Sequence, residues 1–132
     1  MHDKESNMPD GIPVIRTIAM PADTNPNGDI FGGWLMSQMD LAAGNVAARR
    51  SRGRAATVAV EAMSFLSPVA VGDEVSLFGK VVKLGRTSMR IEVEAWRRAR
   101  ASEETTKVTE AVFTFVAIDE DGRPRPIPPE EA

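Results

Sequence analysis

Residues 34–50 read WLMSQMDLAAGNVAARR, and this stretch decides the fold class. Leu35, Met39, Ala42 and Val46 recur at helical spacing, so the stretch predicts one amphipathic helix. Its Ala, Leu and Met content favours the helical backbone. Arg49, Arg50 and Arg52 suit a helix C-terminus, where cations meet the negative end of the dipole, and Gly53 reads as the stop.

Outward from the helix the period changes. Before it, residues 21–31 (PADTNPNGDIF) read as a structured loop of Pro, Asn, Asp and Gly, and residues 14–20 (VIRTIAM) as a short strand. After it, four segments read as strands: 56–66, 74–83, 87–98 and 107–118. In 56–66, Val58, Val60 and Ala62 alternate against Thr57 and Glu61. In 87–98, Met89, Ile91, Val93 and Ala95 alternate against Arg90, Glu92, Glu94 and Trp96. Pro68, Val71-Gly72-Asp73 and Leu84-Gly85-Arg86 mark turns. One helix among five strands joined by short turns predicts an α+β domain with an antiparallel sheet. A single helix covers only one side of such a sheet. The long apolar halves of 56–66 and 87–95 therefore predict a partner subunit as the second cover.

At 132 residues the chain is long enough for one domain with a proper core. Its 42% hydrophobic and 27% charged residues are ordinary globular values. A net charge of −3 argues against nucleic acid as a main partner. There is no Cys and no Tyr, and the single His is His2, in a polar stretch. Ser–His and Cys–His nucleophiles and Cys/His zinc sites are thereby excluded, which leaves carboxylates, amides, hydroxyls and backbone donors for any chemistry. Without cysteine nothing points to an oxidising compartment. The start, MHDKESNMPDGIP, lacks the apolar core of a signal peptide, and no apolar run is long enough to span a membrane. The expected location is the cytoplasm.

Asp40 stands out inside the helix. Its neighbours one turn away, Met36, Ser37, Ala43 and Gly44, form a small, mostly apolar strip that another chain or a ligand can approach. A partly desolvated carboxylate there suits a general base or a nucleophile; an Asp on a solvated helix flank is the plainer alternative. Gly32-Gly33 would let a ligand reach unshielded N–H groups at the helix start, or else make a turn that needs positive φ. Gly33 and Asp40 are about 10 Å apart along a helix, long for one small reacting group within one chain, so a bound substrate or a second subunit would have to bridge the gap. Asn25 and Asn27 offer amides, or simply form the loop. Gly85-Arg86-Thr87-Ser88 combines a cation, hydroxyls and backbone donors suited to phosphate, on what also reads as a plain hairpin turn. The runs Arg49, Arg50, Arg52, Arg54 and Arg97, Arg98, Arg100 read as solvated faces, without the aromatics of a single-strand nucleic-acid site.

Residues 20–40, MPADTNPNGDIFGGWLMSQMD, resemble the signature of the hotdog-fold acyl-CoA thioesterases, specifically the YciA-type group. The likeness continues through TVAVEAMSFLSPVAVGD (57–73), KLGRTS (83–88) and TEAVFTFVAID (109–119). It implies a hotdog domain over 12–126, a long central helix wrapped by a five-stranded antiparallel sheet, with a flexible segment at 1–11 and a tail at 127–132. It implies hydrolysis of acyl-CoA, a thioester hydrolase activity with no metal and no cofactor beyond the coenzyme A of substrate and product. It implies a dimer, assembled further into a trimer of dimers. Asp40 matches the family's catalytic carboxylate, Asn25 the amide that assists from the facing subunit, and Gly33 or Gly32 the N–H that polarises the thioester carbonyl. Substrate and coenzyme A contacts fall on Gly28, Phe31, Gly32, Gly85, Arg86, Thr87 and Ser88. One departure is Ala42-Ala43, where the family pattern calls for a glycine pair; the change would narrow the site beside Asp40. A non-catalytic acyl-CoA-binding module is the rival reading, although it needs no acid at position 40. A hotdog dehydratase would need an active-site His that this chain lacks outside its first residues.

Overall fold

Among the described residues one α-helix, α1 (Gly32–Ser51), lies across an antiparallel sheet of β1 (Ile15–Ile18), β2 (Ala55–Phe65), β3 (Glu74–Leu84), β4 (Ser88–Arg98) and β5 (Thr105–Ala117) in this computed structural model. Residues 7–130 are described; residues 1–6 of the expected flexible segment and residues 131–132 of the tail lie outside them. The helix begins at Gly32 rather than Trp34, because two glycines add no side chain to a periodic pattern. Leu35, Met39, Ala42, Ala43 and Ala47 are buried against Val75, Leu77, Met89, Ile91, Val93, Phe113 and Phe115. Each large side chain buried here contributes about 1.5–3 kcal/mol.

The sheet order is β1-β3-β4-β5-β2, so β2 pairs with β5 and its other edge has no strand partner among the described residues. The apolar half of β4 is fully covered by the protein's own helix, contrary to the expectation that it needs a partner. Exposed apolar side chains do occur on and beside β2. Val58 is 57% exposed, Val60 40% and Leu41 of α1 61%.

Two bulges reset the faces of β2. The register skips Val58, so Thr57, opposite Phe115, and Val60, opposite Phe113, both face the helix side. The expected alternation had put them on opposite sides. A bulge inserts one unpaired residue and so inverts the alternation beyond it. The second bulge holds Ala62 at φ 55°. Trp96 does sit on the polar side of β4, donating 2.9 Å from Nε1 to Glu94 Oε1, yet it is 1% exposed.

The helix stop also differs from expectation. Arg52, not Gly53, takes the left-handed conformation (φ 57°) that ends α1. Gly53 supplies space: a Cβ there would lie 2.6 Å from the Arg125 guanidinium. Arg125 donates to Ser51 O (2.8 Å), Ser51 Oγ (3.3 Å), Arg54 O (3.1 Å) and Ile118 O (2.9 Å), so it satisfies carbonyls at the negative end of the helix. Ile127 packs against the core. No helix among the described residues is long and apolar enough to cross a membrane.

Candidate active site

Asp40 projects from the middle of α1, half-buried, on the flank that meets the start of β2. Thr57 Oγ1 donates a 2.6 Å hydrogen bond to Asp40 Oδ1. The second carboxylate oxygen makes no hydrogen bond with any described residue. One oxygen is thus oriented and the other is open to take a proton or attack a carbon. Thr57 was not singled out in the sequence. A hydroxyl on a strand with alternating pattern looks like surface, and only the pairing of β2 with β5 brings it opposite the carboxylate. Ala42 and Ala43 are both fully buried against the sheet. Their methyl groups fill core, so they do not narrow the space at Asp40 as expected.

Asn25 heads the loop before the helix. Its Oδ1 accepts from the N–H of Asn27 (2.9 Å) and of Asp29 (3.1 Å), while its own N–H donates to Asp29 O (2.7 Å). The loop therefore uses the amide oxygen and leaves the NH₂ group as a donor for another molecule. Gly28 holds φ 86° in this turn, a conformation that favours glycine. Asn27 is exposed beside it.

Gly32 and Gly33 open α1 without a side-chain cap. The carbonyl of Phe31 accepts from Trp34 N–H (3.1 Å) and Leu35 N–H (3.5 Å), so the first two N–H groups are left for a ligand or water. Neither glycine has positive φ; what each supplies is room. A Cβ on Gly32 would lie 3.2 Å from the ring of Phe65, and one on Gly33 3.1 Å from the ring of Phe31. Ile30, Phe31, Leu35, Phe65 and Val69 line a cleft of about 260 Å³ at this helix start.

The turn at Gly85–Ser88 closes through Gly85 N–H donating to Ser88 O (2.8 Å). Arg86 is exposed and its guanidinium has no partner among the described residues. Met89 pairs with Phe115, and Phe115 with Thr57. The turn is therefore at the same end of the sheet as Asp40, two strand spacings or about 10 Å across. Within one protomer the expected residues fall into three groups. Asn25, Gly28, Phe31, Gly32 and Gly33 gather at the helix start, Asp40 stands with Thr57 two turns on, and Gly85–Ser88 lie beyond them. Of the arginine runs, Arg50 donates to Pro128 O (2.7 Å) and Arg98 to Ser102 O (2.8 Å), so both serve the protein's own carbonyls. No cluster of three or more potential metal ligands occurs among the described residues.

The model of the thioesterase superfamily matches residues 27–104, more than half of the chain and both helix and β4. The chain belongs to the thioesterase superfamily. Among its relatives is the acyl-CoA thioester hydrolase YciA of Salmonella typhimurium, 55% identical over 125 residues that cover 92% of this thioesterase and 94% of that one. Among solved structures, the hexameric thioesterase of Yersinia pestis is 50% identical, covers 93% of this chain and 100% of its own, and superposes with a TM-score of 0.88. A hexameric hotdog-fold thioesterase of Campylobacter jejuni is 40% identical over 89% of this chain and 91% of its own, with a TM-score of 0.84. The expected hotdog fold and YciA-type grouping are borne out.

The Thr57 contact makes a test within the thioesterase. Thr57→Val removes the hydroxyl at nearly constant volume and is expected to lower kcat by about 10-fold, the scale of one lost orienting hydrogen bond near a charge. Thr57→Ser restores the donor and is expected to recover most of the rate. Equal rates in wild type and Thr57→Val would remove Thr57 from the site.

Proposed function

We propose that this protein hydrolyses acyl-CoA to a free carboxylic acid and coenzyme A, with Asp40 as the reacting group. The observation that carries the reading is the Asp40 carboxylate, oriented by Thr57 at one oxygen and open at the other, in a thioesterase-superfamily chain. The open oxygen either takes a proton from water as the water attacks the thioester carbonyl, or attacks that carbonyl itself. In both routes a C–O bond forms, a tetrahedral oxyanion builds up, and the C–S bond breaks to release the thiolate. Attack by water gives the free acid directly, whereas attack by Asp40 leaves a mixed anhydride that a water then opens to the free acid and the restored carboxylate. The unpaired N–H of Gly33, with Gly32 beside it, stabilises the oxyanion; one such donor is worth about 3–4 kcal/mol. The Asn25 NH₂ holds the water or the carbonyl oxygen. The thioester is already activated and its thiolate leaves readily, so the reaction calls for no metal or added cofactor.

The gap between the helix start and Asp40 supports a site shared by two subunits. Asn25 and Gly33 of one protomer would face Asp40 of the other. The free edge of β2 and its exposed Val58 and Val60 are the surface such a dimer would cover, and a trimer of dimers accords with the hexameric relatives. Arg86, with Gly85, Thr87 and Ser88, would meet the coenzyme A phosphates, and the cleft at Gly28, Phe31 and Gly32 the acyl end. The partner is the acyl-CoA itself; neither nucleic acid nor membrane enters the reading. A cytoplasmic location fits a chain without cysteine.

Thiol release from a panel of acyl-CoAs, short, long and aromatic, tests the reading directly. The protein contains no Cys, so a thiol-reactive dye reports only liberated coenzyme A. Turnover on members of the panel is the expected result. Binding of acyl-CoA without thiol release across the whole panel would replace the hydrolase by a binding module.

A further inference from the structure

We infer that the C-terminal segment 124–128 is a strap that positions the Gly85–Ser88 turn for the nucleotide half of coenzyme A. The inference rests on reading that turn as a coenzyme A contact. A hairpin turn closes with one hydrogen bond, here Gly85 N–H to Ser88 O. This turn has two more anchors on consecutive residues. Ile127 N–H donates to Arg86 O (2.9 Å), and Ala117 N–H donates to Thr87 O (2.8 Å). The main chain of Arg86 is therefore fixed by the tail while its guanidinium is left exposed and unpaired among the described residues. A cation on a pinned backbone loses less freedom when it meets a phosphate than one on a free loop.

The strap is itself tied down at two points. Arg125 spends its guanidinium on Ser51, Arg54 and Ile118, in space that Gly53 leaves open. Arg50 donates to Pro128 O (2.7 Å). Between these anchors Ile127 packs its side chain onto the core and turns its N–H to Arg86. Pro124, Pro126 and Pro128 restrict the backbone before any ligand arrives. The helix that carries Asp40 and the turn that carries Arg86 are thus joined by this segment. Ile127 and Arg125 are positioning residues on this account, acting through Arg86 and never touching the thioester.

The test compares two substrates, an acyl-CoA and the matching S-acyl pantetheine, which has the thioester but no nucleotide. Ile127→Pro deletes the N–H that Arg86 O accepts; Ile127→Val keeps it. For Ile127→Pro the KM for acyl-CoA is expected to rise about 5- to 20-fold with kcat within about twofold, and the pantetheine substrate to be unaffected. Ile127→Val is expected to behave as wild type. Equal losses on both substrates, or a fall in kcat at constant KM, would overturn the strap. Arg86→Ala separates the two readings. If it raises KM for acyl-CoA and Ile127→Pro does not, the strap fails alone; if it leaves KM unchanged, the turn does not contact coenzyme A and the inference falls with it. Should Ile127→Pro fail to fold, Arg125→Lys keeps the charge but loses the fork, and the same split in KM is expected.

Discussion

Asp40→Asn is expected to lower kcat on acyl-CoA at least about 100-fold while KM changes little. The substitution keeps size and shape, and its amide oxygen can still accept from Thr57 Oγ1, so the fold and the Thr57 contact survive. What it removes is the negative charge and the basicity of the open oxygen. An amide neither accepts a proton from water nor attacks a thioester, so both chemical routes stop. Single turnover of the wild type in oxygen-18 water probes the routes. Label in the Asp40 carboxylate marks a mixed anhydride opened by water at the Asp40 carbonyl; label in the released acid alone arises from direct attack by water or from opening of the anhydride at its acyl carbonyl. Asp40→Asn with wild-type kcat would remove the carboxylate from the chemistry and leave the hydrolysis to another group.

The second large effect is a recovery. Asn25→Ala and Asp40→Asn are each expected to be nearly inactive. Unfolded together in equal amounts and refolded, they should regain about a quarter of wild-type activity, because half of the dimers are mixed and one of the two sites in a mixed dimer has both residues. Sedimentation checks that the mixture and the wild type share one mass. A mixture as inactive as its components would show that Asn25 and Asp40 do not meet across a subunit boundary.

Much of this architecture is legible in the sequence. The helix and all five strands stand within two or three residues of where periodicity places them, because apolar spacing records burial directly. The loop glycines and Asp40 are legible for another reason, since their types are unusual for their positions. The unread parts share a cause. Thr57 reaches Asp40 because β2 pairs with β5 and bulges at Val58, and neither long-range pairing nor an extra residue in a strand leaves a local signal. Arg125 lies in a Pro-rich run that reads as tail, while its partners Ser51 and Arg54 are more than seventy residues away. Arg52 ends the helix where Gly53 was expected, and the glycine instead makes room for Arg125, a side chain from far along the sequence.

The pairing of β2 with β5 also bears on how the protein is made. Residues 55–65 leave the ribosome well before residues 105–117, their strand neighbour among the described residues. Until it emerges, β2 is an apolar segment with both edges open, the kind of nascent surface that invites aggregation. Thr57 meets its rung partner Phe115 only after β5 has emerged. The contact between Thr57 and Asp40 is therefore completed only once β5 is made, and a chain cut short before β5 should have Asp40 in place on its helix but no ordered strand to bring Thr57 to it.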